Sequence, residues 1–136
     1  MESEKHNSLV RELASIFGKN GFNVYAVDGV TVKCPSAVEN NNNIGDCQNK
    51  IPDIEAYDEL NKRVIRGEAK IGNGDIESEH SITQYKLFSS LNKNGVDSWV
   101  YIIIPQGEKM FLEKVLAENV LQKFLDNIGI IESANY

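Results

Sequence analysis

The sequence predicts an α/β domain in the order helix, three strands, helix, strand, helix, with a mixed sheet flanked by helices. Three stretches carry that prediction. Residues 3–19 hold an apolar stripe at helical spacing, residues 51–70 alternate with period two, and residues 98–104, SWVYIII, form a continuous apolar run. Such a run suits a strand covered on both faces. At 136 residues the chain reads as a single domain, 1–136, long enough for one core and too short for two.

The first helix is read from Leu9, Val10, Leu13, Ile16 and Phe17, which fall on one face. Ser3 suits its N-cap, because a hydroxyl there accepts from a free amide of the first turn, and Asn20-Gly21 suits its end. Residues 22–27 alternate as a strand with Phe22, Val24 and Ala26 on one side; Asp28-Gly29 marks a turn, and residues 30–33 are compatible with a return to extended structure. Residues 35–50 are polar and Asn-rich, with Gly45 near the middle. They read as a mobile loop, of a length that is usually either functional or disordered, with Asp46 an exposed loop aspartate and, as the alternative, a residue that reaches the site.

Residues 51–70, IPDIEAYDELNKRVIRGEAK, read as a β-hairpin whose register follows from charge. With Asp53 opposite Glu68, Glu55 faces Arg66, Tyr57 faces Val64, Asp58 faces Arg63 and Glu59 faces Lys62. These are favourable cross-strand pairs, and a slip of one residue would lose them and turn every side chain to the other face. Leu60-Asn61 is a poor two-residue turn, so a four-residue loop, 59–62, is the equal alternative. Ile54, Ala56, Ile65, Gly67 and Ala69 then share a packing face, while Asp53, Glu68 and Lys70 share the other.

That second face has chemical consequences. Two carboxylates ~4 Å apart repel by roughly 4 kcal/mol at an effective dielectric near 20. A divalent cation is the usual compensation, and magnesium takes only one or two carboxylates from a protein. Lys70 is placed to orient or deprotonate a water, or to stabilise developing negative charge. The plainer alternative is a solvated face on which Lys70 bridges the two acids for little net energy.

After the hairpin, Gly72, Asn73 and Gly74 form a flexible link suited to close approach by a phosphate backbone. Residues 81–92 read as the second helix, with Gln84, Leu87, Phe88 and Leu91 on one face. A glutamine on an apolar face needs a partner, since an unpaired buried amide costs about 1–3 kcal/mol. Lys86 and Lys93 read as solvated or phosphate-contacting. Residues 108–127 read as one long helix whose broad apolar stripe, Phe111 to Leu125, is core or an interface, and residues 129–131 as a short strand or a tail.

Pro52-Asp53 on one strand and Glu68-Ala69-Lys70 on its partner resemble the PD-(D/E)XK signature of the restriction-endonuclease-like nucleases. The chain is similar to the Holliday-junction-resolvase-like and VRR-NUC-like members, and its first six elements, residues 3–105, follow their αβββαβ core. The resemblance implies a metal-dependent nuclease that hydrolyses phosphodiester bonds, with DNA as the expected substrate. It implies that Asp53 and Glu68 hold Mg2+ or Mn2+, that the carbonyl of Ala69 adds a ligand, and that Lys70 activates the attacking water. It also implies a first-helix acid in the metal site, Glu4 or else Glu12, and a role for Gln84 facing the reaction centre. The plainer readings are a glutamate favouring the helix dipole for Glu4 and a core amide bonded to backbone for Gln84.

The net charge of −6 runs against free-standing nucleic-acid binding, because phosphate neutralisation supplies most non-specific affinity. The chain must gather its basic residues on one face, borrow basic surface from an accessory protein or a second copy in a homodimer, or leave nucleic acid alone. The alternative function is accordingly a catalytically silent nuclease-fold subunit that binds nucleic acid or protein in a larger assembly. No apolar run approaches a membrane span, and MESEKHNS lacks the features of a signal peptide, so no membrane and a cytoplasmic location are expected. Cys34 and Cys47 read as free thiols, with a zinc site or disulfide as the alternatives.

Overall fold

The computed structural model describes residues 3–90 and 98–136. Leu91, Asn92 and Lys93, to which the sequence gives places on and after the second helix, lie outside the described residues.

Helix α1, Glu4–Lys19, begins where the Ser3 side chain accepts from His6 N at 3.1 Å. It ends where Asn20 closes onto the carbonyls of the last turn and Gly21 takes φ +82°. Leu9, Val10, Leu13 and Phe17 are buried, as the stripe requires. Strand β1, Asn23–Val27, pairs antiparallel with β2, Ile54–Asp58, but its alternation breaks at a bulge between Val24 and Ala26. The extra residue, Tyr25, moves Val27 onto the α1 side with Phe22 and Val24, in the place expected for Ala26. Residues 30–33 do not return to a strand; they bend, leaving Val32 exposed.

Strands β2 and β3, Arg63–Ala69, pair in the register charge predicts, with Glu55 opposite Arg66, Tyr57 opposite Val64 and Asp58 opposite Arg63. The connection is the four-residue loop 59–62. Asp58 holds it: Oδ1 accepts from Leu60 N at 3.1 Å and Asn61 N at 3.2 Å, and Lys62 takes φ 54°. Helix α2, Glu79–Ser90, then crosses back to β4, Ser98–Ile104, which runs parallel to β3.

The long helix expected over residues 108–127 is two helices, α3, Lys109–Asn119, and α4, Gln122–Leu125. Between them Val120 and Leu121 are extended, with ψ 136° and 137°. Asn119 turns its side-chain amide onto Val115 O at 2.8 Å, the local competition that makes asparagine a poor helix interior residue. The break buries Val120 and leaves Leu121 exposed. Strand β5, Ile128–Glu132, is a true strand, parallel to β4.

The five strands form one mixed sheet in the order β1-β2-β3-β4-β5. On one side α1 packs Leu9, Leu13 and Phe17 on Ile54, Ala56, Ile65 and Ile103. On the other, α2 and α3 pack Tyr85, Leu87, Phe88, Leu112 and Leu116 on Val100, Ile102 and Ile104. Strand β4 is therefore covered on both faces. The stripe of Phe111 to Leu125 is mostly core, with Leu112, Val115, Leu116 and Val120 buried.

The Asn-rich segment is hydrogen-bonded through its own asparagines. Asn40 accepts from Ile44 N at 2.8 Å and donates to Ile44 O at 2.8 Å and Gln48 O at 3.0 Å, while Val38 and Lys50 form a bridge. Gly45, at φ +57°, lies so close to Thr83 that a Cβ would fall 2.1 Å from its Oγ1. Cys34 and Cys47 are free and exposed. Among the described residues, no helix is long and apolar enough to cross a membrane.

Candidate functional site

The hairpin register places Asp53 and Glu68 together where the β2–β3 ladder ends. There each carboxylate takes up a backbone amide of the opposite strand: Asp53 N donates to Glu68 Oε1 at 3.0 Å, and Ala69 N donates to Asp53 Oδ2 at 2.9 Å. Lys70 N donates to Ile103 O at 3.0 Å, which extends the parallel ladder by one step and fixes where the lysine side chain starts. Lys70 Nζ lies 3.4 Å from Glu68 Oε2 and donates to Gln84 Oε1 of α2. From α1, His6 Nε2 lies 3.2 Å from Asp53 Oδ2. A carboxylate oxygen accepts only, so Nε2 is the donor in this contact.

These groups border a cavity of about 810 Å³ between the start of α1 and the start of α2. Asp53, Glu68 and Lys70 are 7%, 2% and 3% exposed, which overturns the solvated-face alternative. Gln84 is buried at the cavity and bonded to Lys70 rather than to backbone. The first-helix acid is a correction. Glu4 is exposed and does not border the cavity, and Glu12 accepts from Ser133 Oγ and Ala134 N, tying down the C-terminal tail. Residues two apart on a helix point roughly half a turn apart. The α1 side chain that reaches the site is therefore His6, which shares the stripe of Leu9, Val10 and Leu13.

Two further residues at the cavity, Lys50 and His80, carry roles that the sequence does not announce. Lys50 is 2% exposed, and its Nζ reaches Asp46 Oδ2 and His80 Nδ1, each at 2.6 Å. Asp46 is thus a fixed ion-pair partner rather than a loose loop aspartate. A sequence signal existed for His80, four residues before Gln84 on α2 and so on its face. None existed for Lys50, whose partner at the cavity, His80, is thirty residues away.

Burial, and after it the nearby Asp53, hold the Glu68 carboxyl well above the usual range, against the opposing pull of Lys70 and of the amide of Asp53. Below the ordinary glutamate value of about 4.3 both folded and unfolded chains are protonated there, and this contribution to stability is complete. Above it the unfolded chain releases the proton while the folded chain keeps it, so stability is lost as pH rises towards the raised folded value. Urea midpoints measured from pH 4 to 8 are expected to decline for the wild type relative to Glu68→Gln, which cannot titrate. Parallel curves for the two proteins would contradict a raised Glu68.

Among the described residues, no group of three or more His, Cys, Asp or Glu is arranged to hold a metal ion. The donor set that is present, two buried carboxylates beside an open cavity, fits a hard cation that keeps most of its own waters. In comparisons with known proteins, no family model, no curated protein and no solved structure matches the chain.

Proposed function

We propose that the chain is a metal-dependent nuclease of the PD-(D/E)XK type that hydrolyses phosphodiester bonds, with DNA as substrate, and that its αβββαβ portion is a restriction-endonuclease-like core. One observation carries the reading: Asp53, Glu68 and Lys70 converge, buried, at the end of one hairpin and on the wall of one cavity. Such a cluster is costly to fold, because the acids repel and lose their water, and costs of that kind concentrate at functional sites.

Asp53 and Glu68 would hold Mg2+ or Mn2+, with the Ala69 carbonyl as a further ligand. When bound, the cation would offset the phosphate charge and lower the pKa of a water. The protein's own groups divide the remaining work. Lys70, steadied by Glu68 and Gln84, orients the attacking water and stabilises negative charge at phosphorus. His6 and the amide of Ala69 pin Asp53 Oδ2. His6 takes the first-helix place that the resemblance gives to Glu4.

The test is incubation with branched, single-stranded and duplex DNA in Mg2+ or Mn2+, beside Asp53→Ala. Cutting by the wild type alone is expected; equal cutting by both proteins would contradict the assignment. The net charge of −6 favours a second reading, a silent subunit whose basic surface comes from an accessory protein or a second copy. That subunit would cut none of these substrates under any condition.

A further inference from the structure

Lys50 and His80, which border the same cavity, form with Asp46 a second polar cluster outside the Asp53–Glu68–Lys70 group. The cluster joins the Asn-rich segment to the first turn of α2, and its central cation is almost wholly buried. A buried ammonium is tolerated only when paired and hydrogen-bonded. Asp46 supplies the charge, at 2.6 Å from Nζ. His80 Nδ1 supplies a lone pair, also at 2.6 Å.

The second contact fixes the chemistry of the imidazole. A lysine ammonium has three hydrogens and no lone pair, so His80 Nδ1 must accept and the ring proton must sit on Nε2. Burial first, then the positive charges of Lys50 and Lys70, lower the affinity of His80 for a second proton, against the weaker opposing pull of Asp46 and Asp75. The ring is therefore neutral at neutral pH. His80 borders the cavity one helical turn before Gln84, and its remaining nitrogen is a donor with no lone pair in the ring plane. That excludes His80 as a base or a metal ligand in this tautomer. What suits it is a ligand atom that only accepts.

We propose that His80, locked by Lys50, donates from Nε2 to a phosphate oxygen of the substrate bound beside Asp53 and Glu68. This contact rests on the phosphodiester reading of the cavity and gives it a second anchoring point. Phosphate oxygens are acceptor-only, and Asn49 and Asn73 border the same cavity with further amide donors. Lys50 is a positioning residue, because it acts through the ring it orients. Its charge is spent on Asp46, so the pair adds direction to the site without adding net charge.

The test is imidazole nitrogen NMR of the full chain at pH 7, titrated with inorganic phosphate, with DNA cleavage in Mg2+ measured in parallel. The wild type is expected to show His80 protonated on Nε2 and that signal moving with phosphate. His80→Ala should weaken phosphate binding about tenfold, as loss of one hydrogen bond to a charged group does. His80→Gln, whose amide nitrogen can take the place of Nε2, should recover most of it. Lys50→Met should leave a mixture of tautomers, a change that a merely structural lysine would not produce. Should Lys50→Met fail to fold, the tautomer of the wild-type ring decides the question.

A wild-type His80 protonated on Nδ1, or phosphate affinity indifferent to His80→Ala, would overturn the proposal even in a protein that cuts DNA. Phosphate binding that depends on His80 in a protein that cuts no DNA would keep the anion contact and remove the nuclease reading instead.

Discussion

Lys70→Ala is expected to slow phosphodiester cleavage by about 10³-fold, in the range found when a proton-transfer group or an electrostatic stabiliser is deleted. The ammonium is the one cation that touches both the buried Glu68 and the buried Gln84 among the described contacts. Deleting one member of a buried ion pair can cost 3–5 kcal/mol when the other is left charged, a value that sets about the worst case here. Glu68, already held towards its protonated form, can keep its proton instead, so the variant is expected to fold. Single-turnover rates beside circular dichroism separate the two effects. Lys70→Met, which keeps the length of the chain, should be as slow as Lys70→Ala. A wild-type rate in either variant would remove Lys70 from the reaction.

The second large effect concerns the packing that puts the hairpin where it is. Leu13 is fully buried between α1 and the hairpin, and its Cδ2 lies 3.0 Å from where a Cβ on Gly67 would stand. Gly67 thus lets α1 approach β3 closely, and Leu13 fills the space. Leu13→Ala is expected to cost about 3–5 kcal/mol, the lost transfer energy plus a cavity that a helix seated on a sheet cannot close. That is a large share of the stability of a small domain, about 5–15 kcal/mol. With m near 1–3 kcal/mol per molar urea, the midpoint should fall by more than about 1 M. The single tryptophan, Trp99, packs under Arg63 at 4.1 Å and reports the transition by fluorescence. A loss below about 1 kcal/mol would mean that α1 is not held by this contact.

How much of this was legible in the sequence depended on whether a feature was local. The hairpin register was, because Glu55, Asp58, Arg63 and Arg66 pair only one way. Burial of β4 was, because its apolar run leaves no face for water. The bulge at Tyr25 was not, since Ala26 and Val27 are both apolar and either can continue the alternation in the sequence. The break at Val120 was hidden because the apolar residues on either side of it kept an approximate helical spacing.

The candidate site divides the same way. Asp53, Glu68 and Lys70 could be placed together from strand geometry alone, and Gln84 from its helix face. His6 lies on the α1 stripe, but its partner Asp53 is 47 residues away, so its helix face alone does not announce the contact. Lys50 and His80 meet only through tertiary structure, and the asparagines that hold the loop for them read as a sign of mobility.

Calorimetric titration with manganese tests the central claim most directly, since cation binding does not depend on knowing the substrate. The account predicts saturable binding to the wild type that is lost in Asp53→Asn, a change that keeps the shape of the side chain and removes its charge. No binding to the wild type, or equal binding to both proteins, would contradict it.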